Sequence, residues 1–283
     1  MDLYIEKDNL SIRMSSLGIL VKDIKVSNVN LESTKKKING KNGNLFLGAT
    51  YTEKKISVIG NYYVGNELED ELMQDRINGL FVDTVPYYVT RMYSVNNNLY
   101  NFERPGEKKS FDLFRAEDQR LYHYRYKVLL DGEINYEFKG LSAAGLLYEV
   151  SFSFVTADIP FGITVPKDDN LTGKVKISYQ GTAPCSQLEW PFSIQVIPTE
   201  DHIASCYFRI GNRTVSYVDP SNRLKKGDVL LFNGVSTTLN QLNVNDKTNY
   251  NYFVLEPNLD GYISYHCDVP SEITLLNKVE FYK

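Results

Sequence analysis

Three histidines, His123, His202 and His266, and three cysteines, Cys185, Cys206 and Cys267, are the soft ligands that the 283-residue chain offers. A resident metal ion needs several such donors at spacings that bring them to one point. These six fall in unrelated segments. The tripeptide His266-Cys267-Asp268 sets two of them side by side, but neighbours on a strand point to opposite faces, so His266 and Cys267 cannot readily share one ion. The sequence therefore predicts no metal site. The cysteines, odd in number and far apart, predict reduced thiols without a disulfide framework. Nucleophile signatures are missing too: there is no Gly-x-Ser-x-Gly, no glycine-rich phosphate cradle and no cysteine in a recognisable histidine context. Carboxylate pairs such as Glu117 with Asp118, or Asp131 with Glu133, have the chemistry for glycoside cleavage. With 35 Asp and Glu residues such pairs arise by chance, and Asp131-Gly132 reads better as a solvated turn. No catalytic residue and no cofactor are expected.

What the chain has in abundance is aromatic: 21 Tyr, 14 Phe and one Trp. A tyrosine ring offers rigid amphipathic area at low entropic cost, for stacking on a sugar or for a protein interface. Tyr122, Tyr124 and Tyr126 share one strand face and read as core or interface. Tyr250, Tyr252, Tyr262 and Tyr265 are the candidate carbohydrate-facing aromatics. Thirty-one Lys and Arg against the acids give a net charge of −4 and a pI near 5.5. That balance provides no phosphate-driven affinity, so no sequence-specific nucleic acid is expected as a partner. The N-terminus lacks a basic stretch followed by an apolar one, and no apolar run is long enough to span a bilayer. A soluble protein of the cytoplasm that makes it, with no membrane partner, is the expectation. The triplets Asn170-Leu171-Thr172 and Asn212-Arg213-Thr214 then count as turn chemistry.

The elements that would position these residues are mainly β. Ile56, Val58, Tyr62 and Val64 alternate within 55–64. Tyr122, Tyr124, Tyr126 and Val128 do the same, as do Tyr148, Val150, Phe152 and Phe154; Val175, Ile177 and Tyr179; and Phe192, Ile194 and Val196. Val279 and Phe281 alternate with Lys278, Glu280 and Tyr282 at the end. Period two punctuated by Asn-Gly, Asp-Gly and Pro predicts layered antiparallel sheets. One segment departs: residues 66–81 carry Leu68, Leu72, Ile77, Leu80 and Phe81 near helical spacing, with Asn66 and Glu69 as a capping-box start, acids in the first turn and Gly79 as the exit. It predicts one amphipathic helix on a sheet, and Val85-Pro86-Tyr87-Tyr88-Val89 resumes β character. The Pro- and Gly-bearing stretch after residue 159 places a boundary near 165, giving domains 1–165 and 166–283, the second of β-sandwich length.

Residues 25–57 are polar and Lys-rich, with Asn39-Gly40 and Asn42-Gly43 at their middle. Turn dipeptides between extended flanks suggest a hairpin, and one with little apolar alternation cannot fold alone. It is either a solvated loop or an arm ordered by a neighbouring subunit. Lys37, Asn39, Gly40, Asn42, Gly43, Leu45 and Phe46 are the candidate inter-subunit residues.

Several of these features together resemble a family. Ser15-Ser16-Leu17-Gly18-Ile19-Leu20-Val21, the Gly40-Lys41-Asn42-Gly43-Asn44-Leu45 turn, the helix followed by Val-Pro-Tyr-Tyr-Val, and the strand ending in Ile159-Pro160-Phe161 are similar to distal tail proteins of long-tailed, siphovirus-type bacteriophages of Gram-positive hosts. Gly181-Thr182-Ala183-Pro184 and Lys226-Gly227-Asp228-Val229-Leu230-Leu231 resemble that family's galectin-like domain. The resemblance implies a belt domain of β-sheets with one helix and a protruding hairpin arm, followed by a galectin-like β-sandwich. It implies a homohexameric ring around a DNA channel, joining the tail tube to the tail-associated lysin, the tail tip and the receptor-binding or baseplate proteins. Such a protein is a virion component of the tail tip, made and assembled in the bacterial cytoplasm. Residues 25–57 are the expected belt, with 96–120 as the competing assignment. A carbohydrate-binding adhesin, docking host cell-wall polysaccharide, is the alternative role, although the chain is too short for the large carbohydrate-binding insertions of some members.

Overall fold

In the computed structural model, which describes residues 1–7, 10–94 and 119–283, the chain divides into two units, Met1–Gly162 and Ile163–Lys283. The first holds β1 (Asp2–Lys7), β2 (Leu10–Arg13), β3 (Leu20–Val26), β4 (Leu31–Lys37), β5 (Asn44–Tyr51), β6 (Lys55–Val64), α1 (Glu67–Phe81), β7 (Tyr87–Ser94), β8 (Gln119–Leu121), β9 (Tyr124–Leu130), β10 (Asn135–Ser142) and β11 (Gly145–Thr156). Its main sheet runs β2-β1-β7-β9-β11-β6-β3, with β8 added to β7 and β10 to β11. The long strand β11 organises it. One edge pairs with β6 from Leu146↔Val64 to Val155↔Lys55, while the other is shared between β10 over its first half and β9 over its last. The alternating residues go where period two sends them: Ile56, Val58, Tyr62, Val64, Val150, Phe152 and Phe154 are all buried. Strand β9 starts at Tyr124, so Tyr122 lies before it and packs edge-on against the Tyr124 ring at 4.7 Å, whereas Tyr126 and Val128 are core.

Helix α1 begins as its residues demand. Asn66 Oδ1 accepts from the Glu69 amide at 3.0 Å, and the Glu69 carboxylate accepts from the Gly65 amide at 2.7 Å. Two expectations are corrected. Gly79 does not end the helix, which runs on to Phe81 because Leu80 and Phe81 are drawn into the core. The buried stripe is Asp70, Ile77, Leu80 and Phe81; at 3.6 residues per turn Leu68 and Leu72 lie about 160° away from Asp70, and both are exposed. The Phe81 ring meets Phe152 at 4.6 Å and Phe154 at 5.5 Å, which seats the helix on the sheet. Buried Asp70 is held by the Tyr62 hydroxyl (2.6 Å) and by Gln74 Nε2 (2.9 Å), so no buried charge is left unpartnered at this contact.

Strand β12 (Gly162–Thr164) begins at the last residue of the first unit, and the second unit contributes β13 (Lys167–Asn170), β14 (Lys176–Ser178), β15 (Cys185–Ser186), β16 (Ser193–Pro198), β17 (Ser205–Ile210), β18 (Arg213–Val218), β19 (Leu230–Phe232), β20 (Thr237–Leu239), β21 (Leu242–Asn243), β22 (Val254–Leu255), β23 (Tyr262–Cys267), β24 (Ser271–Lys278) and β25 (Phe281–Tyr282). Two sheets, β13-β24-β16-β19-β20-β21 and β14-β23-β17-β18, give the β-sandwich, with β15 and β22 as a short pair. Phe253 bridges them: its ring lies 5.6 Å from Phe208 of β17 and 6.5 Å from Phe232 of β19. Gln187, almost fully buried, satisfies its amide by donating to Phe192 O and Phe232 O and accepting from the Phe253 amide. Two alternation readings need correction. Val175 precedes β14 and is exposed, so only Ile177 and Tyr179 belong to that core face. Near the C-terminal end Lys278 and Glu280 are buried along with Val279 and Phe281. Lys278 Nζ donates to Ser178 O and sits 3.6 Å from Glu280, and burial pushes its pKa below that of an ordinary lysine.

Candidate assembly surface

Among the described residues, strands β4 and β5 pair only with each other, forming a two-stranded arm outside the main sheet. Its root is tied: Ser27 N donates to Lys55 O, Asn30 N to Glu53 O and Thr52 N to Asn30 O, and the Tyr51 ring stands edge-on to Phe161 at 5.5 Å. Its tip spans residues 38–43, where Gly40 (φ +78°) and Gly43 (φ +81°) take the left-handed conformation that Asn-Gly turns supply. Beyond the root nearly every side chain is exposed.

The register explains an apolar pattern that the linear sequence hides. Leu31 pairs with Tyr51 and Ser33 with Ala49, then a shift between Thr34 and Lys35 leaves Leu47 as the extra residue and sets Phe46 opposite Lys35. Leu31, Phe46, Ala49 and Tyr51 therefore share one face, the reverse of an arm without apolar alternation. Lys37 pairs with Asn44 and Leu45 with Lys36; Asn39, Gly40, Asn42 and Gly43 make the tip. Phe46 is 59 % exposed and Leu31 55 %. Lys35, Lys36, Lys37 and Lys41 against Glu32 give residues 31–51 a net charge of +3, so the remainder of a chain totalling −4 carries −7. Among the described residues neither outer edge of the arm has a strand partner, and a further strand or another subunit can satisfy its backbone groups. Of the competing segment 96–120, residues 96–118 lie outside the described residues; Gln119 and Arg120 belong to β8.

The outer surface of α1 has the opposite character. Glu67, Glu71 and Asp75 are exposed around Leu68 and Leu72. Sequence periodicity assigned these leucines to the core, so this acidic and apolar face was missed; the buried Asp70 on the opposite side is what turns them outward.

The four candidate tyrosines do not form one platform. Tyr265 is structural: its hydroxyl donates to Leu171 O (2.5 Å) and contacts Lys174 O (2.7 Å), and its ring stacks on Phe208 at 5.8 Å. Tyr252 carries the Arg213 guanidinium over its ring at 4.5 Å. Tyr250 stands exposed at φ +53°. Tyr262 lines a pocket of about 200 Å³ with Arg213, Glu256 and Asn258.

The three cysteines are free thiols. Cys185 is isolated in its core, where burial raises its pKa. Cys206 and Cys267, 61 positions apart in sequence, instead come together with Asp268. Their Sγ atoms lie within 4.8 Å of each other, and this contact raises the pKa of Cys206 and lowers that of Cys267. Linear spacing carries no signal for this meeting; it follows from the pairing of β17 with β23.

Comparison with known proteins places these features. Residues 12–145 match the family model of the phage tail protein RIFT-related domain. The crystal structure of phage SPP1 Dit, described as a paradigm of the hub adsorption apparatus in phages infecting Gram-positive bacteria, aligns with a TM-score of 0.64 and 12% identity over 99% of both chains. Chains of the phage p2 baseplate in its activated conformation align at 0.36 (with Sr, 11% identity, 99% and 97% covered) and 0.35 (with Ca, 12%, 99% and 96%). Comparison with functionally curated proteins returns no significant match. Residues 12–145 of this chain thus resemble a phage tail protein RIFT-related domain, and along its whole length the chain has the fold seen in SPP1 Dit.

Proposed function

We propose that the chain is a structural hub of a phage tail tip and catalyses no reaction: copies join head to tail into a ring of six around a channel for DNA. The ring links the tail tube to the tail-associated lysin and to baseplate or receptor-binding proteins, and it is assembled in the host cytoplasm before entering the virion. The observation that carries this reading is the exposed arm, basic and apolar on a body of opposite charge, within a phage-tail fold. A heterologous ring needs two different complementary patches on each subunit. The arm is one. The outer face of α1 is the other, its Glu67, Glu71 and Asp75 facing the arm lysines of the next copy and Leu68 and Leu72 covering Phe46. Such charge complementarity selects the partner surface and speeds the encounter. Electron micrographs of the purified protein should show rings, and native mass spectrometry six subunits. A species that stays monomeric at high concentration would refute the proposal.

The pocket beside Tyr262 favours a second reading, that residues 166–283 form a domain binding a saccharide of host cell-wall polysaccharide. An aromatic face next to Arg213, Glu256 and Asn258 provides both stacking and hydrogen bonding. Binding of the whole protein to cell-wall glycans should then disappear in Tyr262→Ala; absence of binding across such glycans would remove this reading.

A further inference from the structure

We propose that Cys206, Cys267 and Asp268 form a zinc site that staples the four-stranded sheet of the second unit. The Sγ atoms of both cysteines and a carboxylate oxygen of Asp268 all lie within 4.8 Å of one another. The three come from two strands and the turn that follows. Phe208 is the direct partner of Cys267, so Cys206, two residues earlier, is its diagonal neighbour on the same, inward face.

That diagonal relation decides between the two things a pair of thiols can do. Diagonal positions across a sheet hold their Cα atoms about 7–8 Å apart, beyond the roughly 4.4–6.8 Å that a disulfide spans without backbone movement. An ion between the sulfurs relaxes that demand, because two metal–sulfur bonds of about 2.3 Å at a tetrahedral angle separate the sulfurs far more than an S–S bond does. The third ligand is available because β23 ends at Cys267. Strand alternation lapses at Asp268, whose carboxylate turns back to accept from the Tyr207 amide at 2.7 Å. This hydrogen bond holds one carboxylate oxygen and orients the other, the kind of outer-shell support that metal ligands need. His266 stays out of the site, opposite Arg209 on the other face.

Two thiolates and a carboxylate suit Zn²⁺, with water as fourth ligand. Cys206 is buried, Cys267 half-buried and Asp268 exposed, so the ion has a path in from the Asp268 side. Binding releases the protons of both thiols to solvent and changes no oxidation state. The consequence is mechanical: β17 is pinned to the β23–β24 turn at the point where their ladder ends.

The test uses the full-length protein, reduced and stripped with a chelator. Co²⁺ should add one equivalent per chain with a sulfur-to-cobalt charge-transfer band in the near ultraviolet, and Zn²⁺ should displace it. Cys267→Ser and Cys206→Ser should abolish the band, and Cys185→Ala should keep it. Because Cys206 is a core position, Asp268→Asn on the exposed side provides a variant that leaves the core intact; as it removes a direct ligand, it should weaken Zn²⁺ binding by at least the roughly 10- to 100-fold lost when only an outer-shell support is removed. Absence of the band in the wild type, or its survival in folded Cys267→Ser, would overturn the proposal. Air oxidation that consumes two thiols in place of stoichiometric zinc uptake would do the same and would identify the pair as a disulfide.

Discussion

Truncating Phe46 to alanine separates assembly from folding more sharply than any other single change. In one chain the side chain is 59 % exposed, paired across the arm only with Lys35, so the subunit loses little: surface changes of this kind move stability by less than about 0.5 kcal/mol. In the proposed ring the same side chain would be covered by the next copy. Fully burying a Phe side chain is worth about 1.5–3 kcal/mol, and the 59 % still open in the single chain makes about 1–2 kcal/mol of that available to the partner. A loss of 1–2 kcal/mol lowers the association constant of each contact by about 5- to 30-fold. Since every contact of the proposed ring would use one arm, the losses should compound around it. Sedimentation velocity over a concentration series should show Phe46→Ala shifted towards monomer under conditions where the wild type is assembled, while urea unfolding of the dissociated subunit is unchanged. Unaltered assembly would refute the role given to the arm's apolar face. An assembly defect matched by an equal loss of subunit stability would show that Phe46 acts inside its own chain.

Charge reversal tests the other half of the contact: Lys35→Glu, Lys36→Glu and Lys37→Glu together change the arm from +3 to −3, should slow assembly and reverse the sign of its salt dependence, since salt then screens a repulsion, and should be rescued by Glu67→Lys with Glu71→Lys. Tyr62→Phe removes the 2.6 Å donor from buried Asp70 and should cost about 1.5–3 kcal/mol in urea unfolding, the range for a hydrogen bond to a charged group. Gly145 sits at φ +116°, and an added Cβ would meet Val64 O at 2.4 Å; Gly145→Ala should therefore destabilise the first unit by about 1–3 kcal/mol, read as a lower thermal midpoint. Asp83 is held below the usual carboxylate range chiefly by its bond to the Lys7 ammonium. A depressed folded pKa stabilises above the ordinary carboxylate value and is lost as pH falls through the folded one, so Asp83→Asn should flatten part of the acid limb of stability against pH without altering the neutral plateau slope.

Strands whose alternation is uninterrupted were legible from residues alone: Lys55–Val64 occupies the expected ten positions, and Asn66 with Glu69 caps the helix as their types demand. What stayed hidden has physical causes. The bulge at Leu47 displaces the apolar series of β5 by one residue, so a linear count of the arm finds no face where the paired hairpin has one. A buried carboxylate with two donors took the helix face that Leu68 and Leu72 were expected to hold, because Tyr62 of the neighbouring strand is the partner that makes burial of Asp70 tolerable. Lys278 and Glu280 look like an outward polar set, yet they face Ser178, Asp169 and each other within the sandwich. The meeting of Cys206 with Cys267 is a property of strand pairing across 61 positions, which no local window contains.

The segregation of charge between arm and body also decides which kind of contact can form. Two arms brought together would place eight lysines against two glutamates, whereas an arm on the −7 body gains attraction over the whole approach. Arm-to-arm pairing, the route to an isologous dimer, is disfavoured, and arm-to-body pairing, which is heterologous and must either close or run on as a filament, is favoured. Closure then depends on a fixed arm direction. A free two-stranded hairpin is marginal in water, but this one is held at its root by the three backbone hydrogen bonds of Ser27, Asn30 and Thr52 and by Tyr51 on Phe161. Ordering the arm before docking reduces the entropy lost on contact and sets one angle between successive copies, so in the proposed ring closure rests on the root as much as on the tip.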